Sequence, residues 1–387
     1  MKIFLKKNEE RRLKIGHQWI FSNEIEKVED EIIDGGVAEL YSNRNAFLGK
    51  GFYNKHSLIA VRFLTGGEEN IDREFFKKRI KTAEQRRLKI YPERKSFRLC
   101  NSESDFLPGL IIDRYGDKYS LQIFSKGMEL FKDDVCGVLK ELGAVSIAEK
   151  NDNELRTLEG LDKKEGMLFG TESSTEVEID SIKYNIDLLK GQKTGFYLDQ
   201  AFNRMKIRNY VSENSRVLDL FCNEGGFSLN AAYAGCRDIT GIDSSEHSIL
   251  TAEKNAASNG FGSIKFECCD VFDYFDRVFQ TKDKFNLIVL DPPSFTKSRK
   301  NVPSAVKGYT ELNYKAMKLL HRNSYLFTYS CSHHISEKQF EEILVKAGDL
   351  SGRRIQIIDF ANCSYDHPLL PQMPETKYLK GYILNVN

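Results

Sequence analysis

The sequence predicts an α/β protein whose second half forms a doubly wound, largely parallel sheet, preceded by a small β domain and an α+β domain. Its 387 residues are enough for two or three domains at roughly 150 residues each. Short strand-like runs separated by turns fill residues 1–71. After residue 215, apolar runs alternate with helical stretches, which is typical of parallel α/β sheets.

The composition excludes several classes of protein. Apolar residues make up 41% and charged residues 29% of the chain, so neither general disorder nor a disulfide-dense miniature fits. The apolar runs are far shorter than the roughly 20 residues that a membrane helix needs, and the N-terminal apolar stretch is too short for a secretory signal. We therefore expect a cytoplasmic protein without a membrane partner.

The net charge is near zero, but the charge is unevenly distributed. The whole chain carries 57 basic and 56 acidic residues, which excludes a polycation. Residues 72–98 carry 11 Lys or Arg and 4 Asp or Glu, a net charge of +7. Such an excess can attract phosphate groups, and it can also be a solvated helix face.

The elements of the first half follow from their patterns. Strands are predicted at 37–41, 46–53 and 58–64, with turns between them. Phe76, Ile80 and Ala83 recur at helical spacing, and Asp72 is a plausible N-cap, so residues 72–96 read as a basic linker helix after a domain over 1–71. An α+β domain over 97–188 is predicted with strands at 110–113, 119–124, 146–149, 166–169 and 175–187 and a helix at 129–142.

The last domain, 189–387, carries a predicted cofactor site. Strands are expected at 216–221, 238–243, 264–267, 285–290 and 325–329. The first strand leads into Gly225, the second ends in Asp243, and the third is followed by Asp270. The dinucleotide pattern Gly-x-Gly-x-x-Gly is absent. The ordered set with Asp219 resembles the S-adenosylmethionine site of class I methyltransferases; the alternative is that these carboxylates only cap helices.

The fourth strand runs into Asp291-Pro-Pro-Ser-Phe295. Two prolines cannot extend a central strand, so a stiff turn is expected to hold Asp291 at the carboxyl edge of the sheet. Aspartate before such a turn and phenylalanine after it are typical of base methylation. Phe295 can stack on a flipped base, and Asp291 or a neighbouring carbonyl can hydrogen-bond its edge.

The fifth strand runs into Ser330-Cys-Ser-His-His334. A thiolate at Cys331 can add to C6 of a cytosine and activate C5 for methylation; the alternative is an inert buried thiol. No Cys-x-x-Cys pair occurs among the eight cysteines, so reduced thiols and no metal site are expected. His333 and His334 are interpreted as surface or substrate contacts.

Over nearly its whole length the chain resembles the large-subunit ribosomal RNA cytosine-5 methyltransferases of the RlmI type. Besides the two motifs above, the resemblance rests on the segments 16–24, 47–53, 103–115, 190–200, 366–370 and 378–381. It implies an N-terminal PUA RNA-binding domain and a class I methyltransferase domain with a Rossmann-like sheet. The family usually has Arg where Ala201 stands, and Cys-Tyr-Thr-Gly-Gly where this chain has Cys-Asn-Glu-Gly-Gly.

The resemblance also implies roles for individual residues. Cys331 would be the nucleophile and Asp291 the carboxylate that contacts the base. Contacts to S-adenosylmethionine are expected from Asp219, Phe221, Asn223, Gly225, Asp243, Ser244, Asp270, Asp291 and Gln200. Substrate contacts are expected from Pro292, Phe295, His333 and Lys193.

Three functions remain open on the sequence. The first is methylation of a cytosine at C5 in large-subunit (23S) ribosomal RNA through a Cys331 adduct. The second is methylation of an exocyclic amine such as guanine N2, which needs no thiol. The third is a non-catalytic ribosome-assembly factor that binds RNA. A homodimer is a further expectation.

Overall fold

The structure is a computed structural model that describes residues 1–29, 33–296 and 298–387. The described residues cluster into two units. The first unit contains Met1–Val177, Ile186–Asp199 and Tyr365–Thr376. The second unit contains Glu178–Asn185, Gln200–Ser364 and Lys377–Asn387. The chain therefore leaves each unit and returns to it, and the two units are described separately.

A six-stranded sheet opens the first unit. Its strands are β1 (Lys2–Leu5), β2 (Trp19–Ile20), β3 (Ile25–Glu29), β4 (Val37–Tyr41), β5 (Phe47–Tyr53) and β6 (Val61–Thr65), with helix α1 (Glu10–Lys14) after β1. Their spatial order is β2-β6-β5-β4-β1-β3. The strands predicted at 37–41 and 46–53 are confirmed. The third begins at Val61 rather than at residue 58, because a turn closed by the Asn54 N–H and the Ala60 carbonyl precedes it.

Helix α2 (Arg73–Ile90) follows this sheet. The predicted N-cap is confirmed, since the Asp72 carboxylate accepts a hydrogen bond from the Phe75 amide at 3.1 Å. Phe76 and Ile80 are fully buried and share one hydrophobic cluster with the strands that follow. The apolar stripe of α2 is thus part of the core of the first unit.

A second sheet of five strands completes this core. Its strands are β7 (Ser96–Asn101), β8 (Leu110–Tyr115), β9 (Lys118–Ile123), β10 (Ser146–Asn151) and β11 (Lys164–Phe169), in the order β11-β10-β9-β8-β7. The helix predicted at 129–142 is two helices, α3 (Lys126–Leu130) and α4 (Lys132–Glu141). They separate at Phe131, whose backbone leaves helical geometry and whose ring packs on Phe52 and Phe76. The pair β12 (Ser174–Ile179) and β13 (Ile182–Asp187) forms a separate two-stranded sheet.

Two arginines of the basic segment are buried in ion pairs. Arg87 of α2 is 1% exposed, and its guanidinium binds both oxygens of Asp105 at 2.6 Å. Arg98 of β7 binds the two oxygens of Asp113 at 2.6 and 2.9 Å. These arginines face protein rather than solvent, so the net charge of +7 over residues 72–98 overstates the basic face that a phosphate would meet.

The returning segment, Tyr365–Thr376, joins the same polar network. The Asp366 carboxylate accepts from the Arg98 amide at 2.8 Å, and the Asp366 carbonyl accepts from Arg87 at 2.7 Å. The other Asp366 oxygen lies 2.9 Å from His367 Nδ1. Burial acts to raise the pKa of Asp366, but His367 and Arg98 outweigh it and the net shift is downward. The motif that begins at Asp366 therefore holds the first unit together.

A seven-stranded sheet forms the second unit. Its strands are β14 (Arg216–Leu220), β15 (Asp238–Asp243), β16 (Lys265–Cys268), β17 (Phe285–Leu290), β18 (Leu320–Ser330), β19 (Ile355–Ala361) and β20 (Lys380–Val386). The spatial order is β16-β15-β14-β17-β18-β20-β19. Strands β14 to β18 are parallel, while β20 runs antiparallel to both β18 and β19. The doubly wound, largely parallel sheet is confirmed; β19 and β20 were not predicted.

Within the described residues, this sheet is accompanied by the helices α5 (Ala201–Lys206), α6 (Gly226–Tyr233), α7 (Glu246–Ser258), α8 (Val271–Thr281), α9 (Val302–Leu319) and α10 (Glu337–Ser351). Because the five parallel strands end at one edge, the residues that follow them meet there. Among the described residues, none of the helices combines the length and the apolar character that a membrane crossing requires.

Candidate active site

Asp219 lies at the end of β14 and is fully buried. One carboxylate oxygen accepts hydrogen bonds from the Ser228 amide at 3.0 Å and the Ser228 hydroxyl at 2.7 Å, which fixes the first turn of α6. Burial raises the pKa of Asp219 to about 6 despite these hydrogen bonds. The buried second oxygen has no hydrogen-bond partner among the described residues.

The loop from Phe221 to Gly225 connects β14 to α6. Phe221, Asn223 and Gly225 have φ values of 63°, 48° and 80°, a conformation that favours glycine. A side chain at Gly225 would also come within 3.0 Å of the Phe266 ring. Glycine at position 225 therefore suits both the positive φ and the close packing of the loop against Phe266.

Asp243 at the end of β15 supports the same loop. Its two carboxylate oxygens accept hydrogen bonds from the Asn223 amide at 3.0 Å and the Ser245 amide at 2.9 Å. Each oxygen retains a further lone pair, so the carboxylate can still accept from the hydroxyl groups of a ribose. The next residue, Ser244, is exposed at the same strand end.

Asp270, after β16, is exposed and caps helix α8. One of its oxygens accepts from the Phe272 amide at 2.8 Å and from the Asp273 amide at 3.4 Å. Asp270 therefore does cap a helix, as the alternative interpretation of these carboxylates predicted. Its contact with an adenine stays a prediction.

Together these groups fit S-adenosylmethionine. The loop after β14 lies at the carboxyl edge of the sheet, Asp243 offers acceptors for ribose hydroxyls, and the unsatisfied oxygen of Asp219 suits a positively charged ligand. Asn255 of α7 steadies the loop, since its side-chain amide donates to the Glu224 carbonyl at 3.1 Å.

Asp291 follows β17 and is held by Gln200. The Gln200 side-chain nitrogen donates to one Asp291 oxygen at 3.0 Å, and Asn203 in turn donates to the Gln200 side-chain oxygen at 2.7 Å. Two residues that were predicted separately, Gln200 and Asp291, are thereby in direct contact. Lys193 lies in the first unit, where it binds Asp199 at 2.9 Å, and its substrate contact stays a prediction.

The turn after Asp291 is tied to the segment after β18 by Ser332. The Ser332 hydroxyl accepts from the Phe295 amide at 3.2 Å and lies 3.1 Å from the Ser294 hydroxyl and 2.9 Å from the Tyr309 hydroxyl. The Phe295 ring packs on Tyr309 with a centroid distance of 4.6 Å. Tyr309 therefore covers part of the Phe295 ring, which was predicted to stack on a base.

Cys331 lies at this junction and is partly exposed. Its thiol donates towards the carbonyl of Pro292 at 3.7 Å, which brings together the two motifs singled out in the sequence. Loss of hydration, with help from Lys380 and His334, lowers the pKa of His333, so its imidazole is neutral at pH 7. Within the described part of the chain, no group of three or more His, Cys, Asp or Glu is placed to hold a metal ion.

Sequence reasoning assigned no role to Ser332 or Lys380. Lys380 begins β20, is 5% exposed, and donates to the carbonyls of Ser332 and Tyr378, both at 2.9 Å. The sequence did point to Lys380, because this residue lies in the segment 378–381, which carries part of the family resemblance. Ser332 likewise lies in the motif 330–334, which also carries the resemblance, but no role was assigned to it.

Comparisons with known proteins agree with this geometry. Residues 3–66 match a family described as a PUA-like domain, and residues 211–362 match a methyltransferase domain. A ribosomal RNA large subunit methyltransferase I from Aeromonas hydrophila is 37% identical over 99% of this chain and 98% of that protein. The protein of the same name from Vibrio cholerae is 36% identical, with 99% of each chain covered.

Solved structures show the same fold over the whole chain. A candidate methyltransferase, SMU.776, in complex with SAH matches 100% of both chains at a TM-score of 0.85 and 23% identity. A SAM-dependent methyltransferase from Streptococcus mutans matches 100% of both chains at a TM-score of 0.83 and 22% identity. The predicted PUA-like domain and the class I methyltransferase fold are confirmed, and the predicted cofactor, S-adenosylmethionine, agrees with the methyltransferase domain over residues 211–362. By its full-length similarity to these relatives, the chain belongs to the ribosomal RNA large subunit methyltransferase I family.

Proposed function

We propose that this protein methylates C5 of a cytosine in large-subunit (23S) ribosomal RNA, with Cys331 as the nucleophile. The observation that carries the proposal is the contact between the two motifs, in which the Cys331 sulfur lies 3.7 Å from the Pro292 carbonyl oxygen. A partly exposed thiol next to the turn that starts at Asp291 suits attack on a base whose edge that turn can hold.

The chemistry explains why a thiol is useful. Cytosine C5 is a weak nucleophile until the Cys331 thiolate adds to C6, and a proton taken up at N3 balances the charge of the adduct. Bound S-adenosylmethionine supplies the electrophilic methyl group. Loss of the C5 proton and release of the N3 proton then expel the sulfur, restore the C5–C6 double bond and regenerate the thiolate.

Other residues are proposed to hold the base and the RNA. The Asp291 carboxylate, oriented by the Gln200 amide at 3.0 Å, accepts a hydrogen bond from the edge of the flipped cytosine. Pro292, Phe295 and His333 line the approach to the thiol. The PUA-like domain over residues 3–66 and exposed lysines of α2 contact the phosphates of the RNA.

Trapping the adduct tests the nucleophile. RNA that contains 5-fluorocytidine is incubated with the protein and S-adenosylmethionine, and the digested product is analysed by mass spectrometry. Because fluorine at C5 cannot leave as a proton does, the adduct should accumulate on the peptide that contains Cys331. Cys331→Ala should abolish the adduct, while Cys363→Ala, which removes another partly exposed thiol, should retain it. An adduct and normal turnover in Cys331→Ala would refute the proposal.

Nucleoside analysis of RNA from a deletion strain tests the modified atom. Loss of 5-methylcytidine from large-subunit RNA, restored by the wild-type protein, is expected. Loss of a methylguanosine with 5-methylcytidine intact would instead support methylation of an exocyclic amine.

A further inference from the structure

A buried lysine lies beside the candidate nucleophile. Lys380 pairs with Ser330 across the antiparallel strands β20 and β18, so its side chain starts one residue away from Cys331 along the neighbouring strand. Its ammonium group then reaches past Cys331 to the carbonyl of Ser332, at 2.9 Å. The register and the hydrogen bond together fix the cation next to the segment that carries the thiol.

The environment of this ammonium group is unusual for a lysine. The residue Lys380 is 5% exposed, and both described hydrogen bonds of its ammonium group go to neutral carbonyl oxygens, of Ser332 and Tyr378. A buried cation without a carboxylate partner costs free energy, and a nearby negative charge recovers part of that cost. Burial lowers the pKa of Lys380, whereas the Cys331 thiolate acts in the opposite direction.

We propose that Lys380 is a positioning residue that stabilises the thiolate of Cys331 and thereby prepares it for attack. This inference rests on the proposed function, because a stabilised thiolate has a use only if Cys331 is the nucleophile. Ionisation requires no other reactant: the thiol proton leaves to solvent, and the negative sulfur is balanced by the ammonium group already present.

The other titratable groups nearby do not replace Lys380 in this role. Tyr309 of α9 is neutral, since burial raises its pKa to about 12, and His333 is neutral because its pKa is lowered. The carboxyl group of Asp291, after β17, cannot supply a positive charge. Around Lys380 itself, Glu337 and Cys363 favour the ammonium form, while Lys377 disfavours it.

Alkylation of Cys331 measures the effect without RNA. The full-length protein is treated with iodoacetamide between pH 5 and 10, and alkylation of each cysteine peptide is followed by mass spectrometry, with exposed Cys268 as the internal reference. In the wild-type protein the midpoint for Cys331 should lie below about 8.5, the value of an unperturbed thiol. In Lys380→Met the midpoint should rise by about one pH unit, and alkylation at pH 7 should slow about tenfold.

Matched variants separate charge from structure. Lys380→Arg keeps the positive charge and should keep a midpoint close to that of the wild-type protein. Lys377→Met removes a more exposed lysine from the same segment, paired with Glu337, and should leave the Cys331 profile nearly unchanged. An unchanged midpoint in folded Lys380→Met would overturn the inference. If Lys380→Met does not fold, a wild-type midpoint at or above about 8.5 overturns it on its own.

The two proposals fail in different ways. A shifted alkylation profile without a 5-fluorocytidine adduct would keep the pairing of Lys380 with Cys331 and refute the function. An adduct at Cys331 with an alkylation profile that is indifferent to Lys380 would keep the function and refute the pairing.

Discussion

The two units of the protein differ in the groups that bind their buried charged side chains. In the first unit, buried Arg87 and Arg98 are each bound through two hydrogen bonds to an aspartate. In the second unit, the described hydrogen bonds of buried Asp219 and Lys380 go to amide, hydroxyl and carbonyl groups that carry no net charge. A charge with an opposite partner is already compensated, whereas one among neutral groups can still gain from a ligand or a reacting atom.

Removing one charge of a compensated pair should have the largest effect. Asp105→Asn leaves Arg87 buried without its carboxylate, and the expected loss of stability is about 3–5 kcal/mol. Urea unfolding followed by circular dichroism measures it. Asp117→Asn changes an exposed aspartate of the same unit and should stay within about 0.5 kcal/mol of the wild-type protein. Equal stability of the two variants would contradict the view that the Arg87 pair holds the first unit together.

The raised pKa of Asp219 should make cofactor binding depend on pH. Burial raises the pKa of Asp219 from its ordinary value of 3.8 to about 6, so the folded protein holds this proton more tightly than the unfolded chain does. The contribution of Asp219 to stability therefore falls as the pH rises from about 4 to about 6 and is constant above that range. A positively charged cofactor favours the ionised form, so its binding should release the proton.

Calorimetry tests this expectation. The affinity for S-adenosylmethionine should weaken by up to about tenfold for each pH unit below about 6. Asp219→Asn should bind more weakly at pH 7 and lose the part of the pH dependence that Asp219 contributes. A wild-type affinity that is constant from pH 5 to 7 would show that the ionisation of Asp219 is not linked to the cofactor.

The exposed charges of the first unit should give the smallest effect of the three. Lys78 and Lys81 of α2 are exposed, unlike Arg87 on the same helix. Lys78→Glu and Lys81→Glu should each weaken RNA binding several-fold and reduce the salt dependence by about one ion per lysine. Filter binding at several salt concentrations measures both. Lys346→Glu, on an exposed position of α10, is the matched control. S-adenosylmethionine affinity should be unchanged in all three variants, and unchanged RNA binding by the α2 variants would exclude this helix as a phosphate contact.

Local patterns in the sequence predicted the parallel core of the second unit well. Strands β15 and β17 have the predicted limits, because each is an apolar run bounded by polar residues. Strands β19 and β20 were missed, although β20 is almost entirely buried. Its place between β18 and β19 depends on pairings distant in sequence that no local pattern records.

Contacts between residues distant in sequence also explain why some site residues were predicted and others were missed. Asp243, Asp291 and Cys331 stand at or just beyond the ends of predicted strands, so their position at one edge of the sheet follows from the topology. Lys380 and Ser332 matter through partners distant in sequence, on the segment after β18, the turn after Asp291 and helix α9. The Arg87 partner Asp105 lies outside the periodicity of α2. Homodimer formation and the limits of the domains stay predictions.

The position of β20 has a consequence for how the protein is assembled. Strand β19 precedes β20 along the chain, yet it joins the sheet only through β20, which pairs with β18 on its other side. Strand β19 can therefore join the sheet only together with β20, which is synthesised later. Without β20, the edge of β18 next to Cys331 is unpaired. The strand that completes the hydrogen bonding of β18 is therefore also the strand that places the Lys380 ammonium group on the carbonyl of Ser332, next to Cys331.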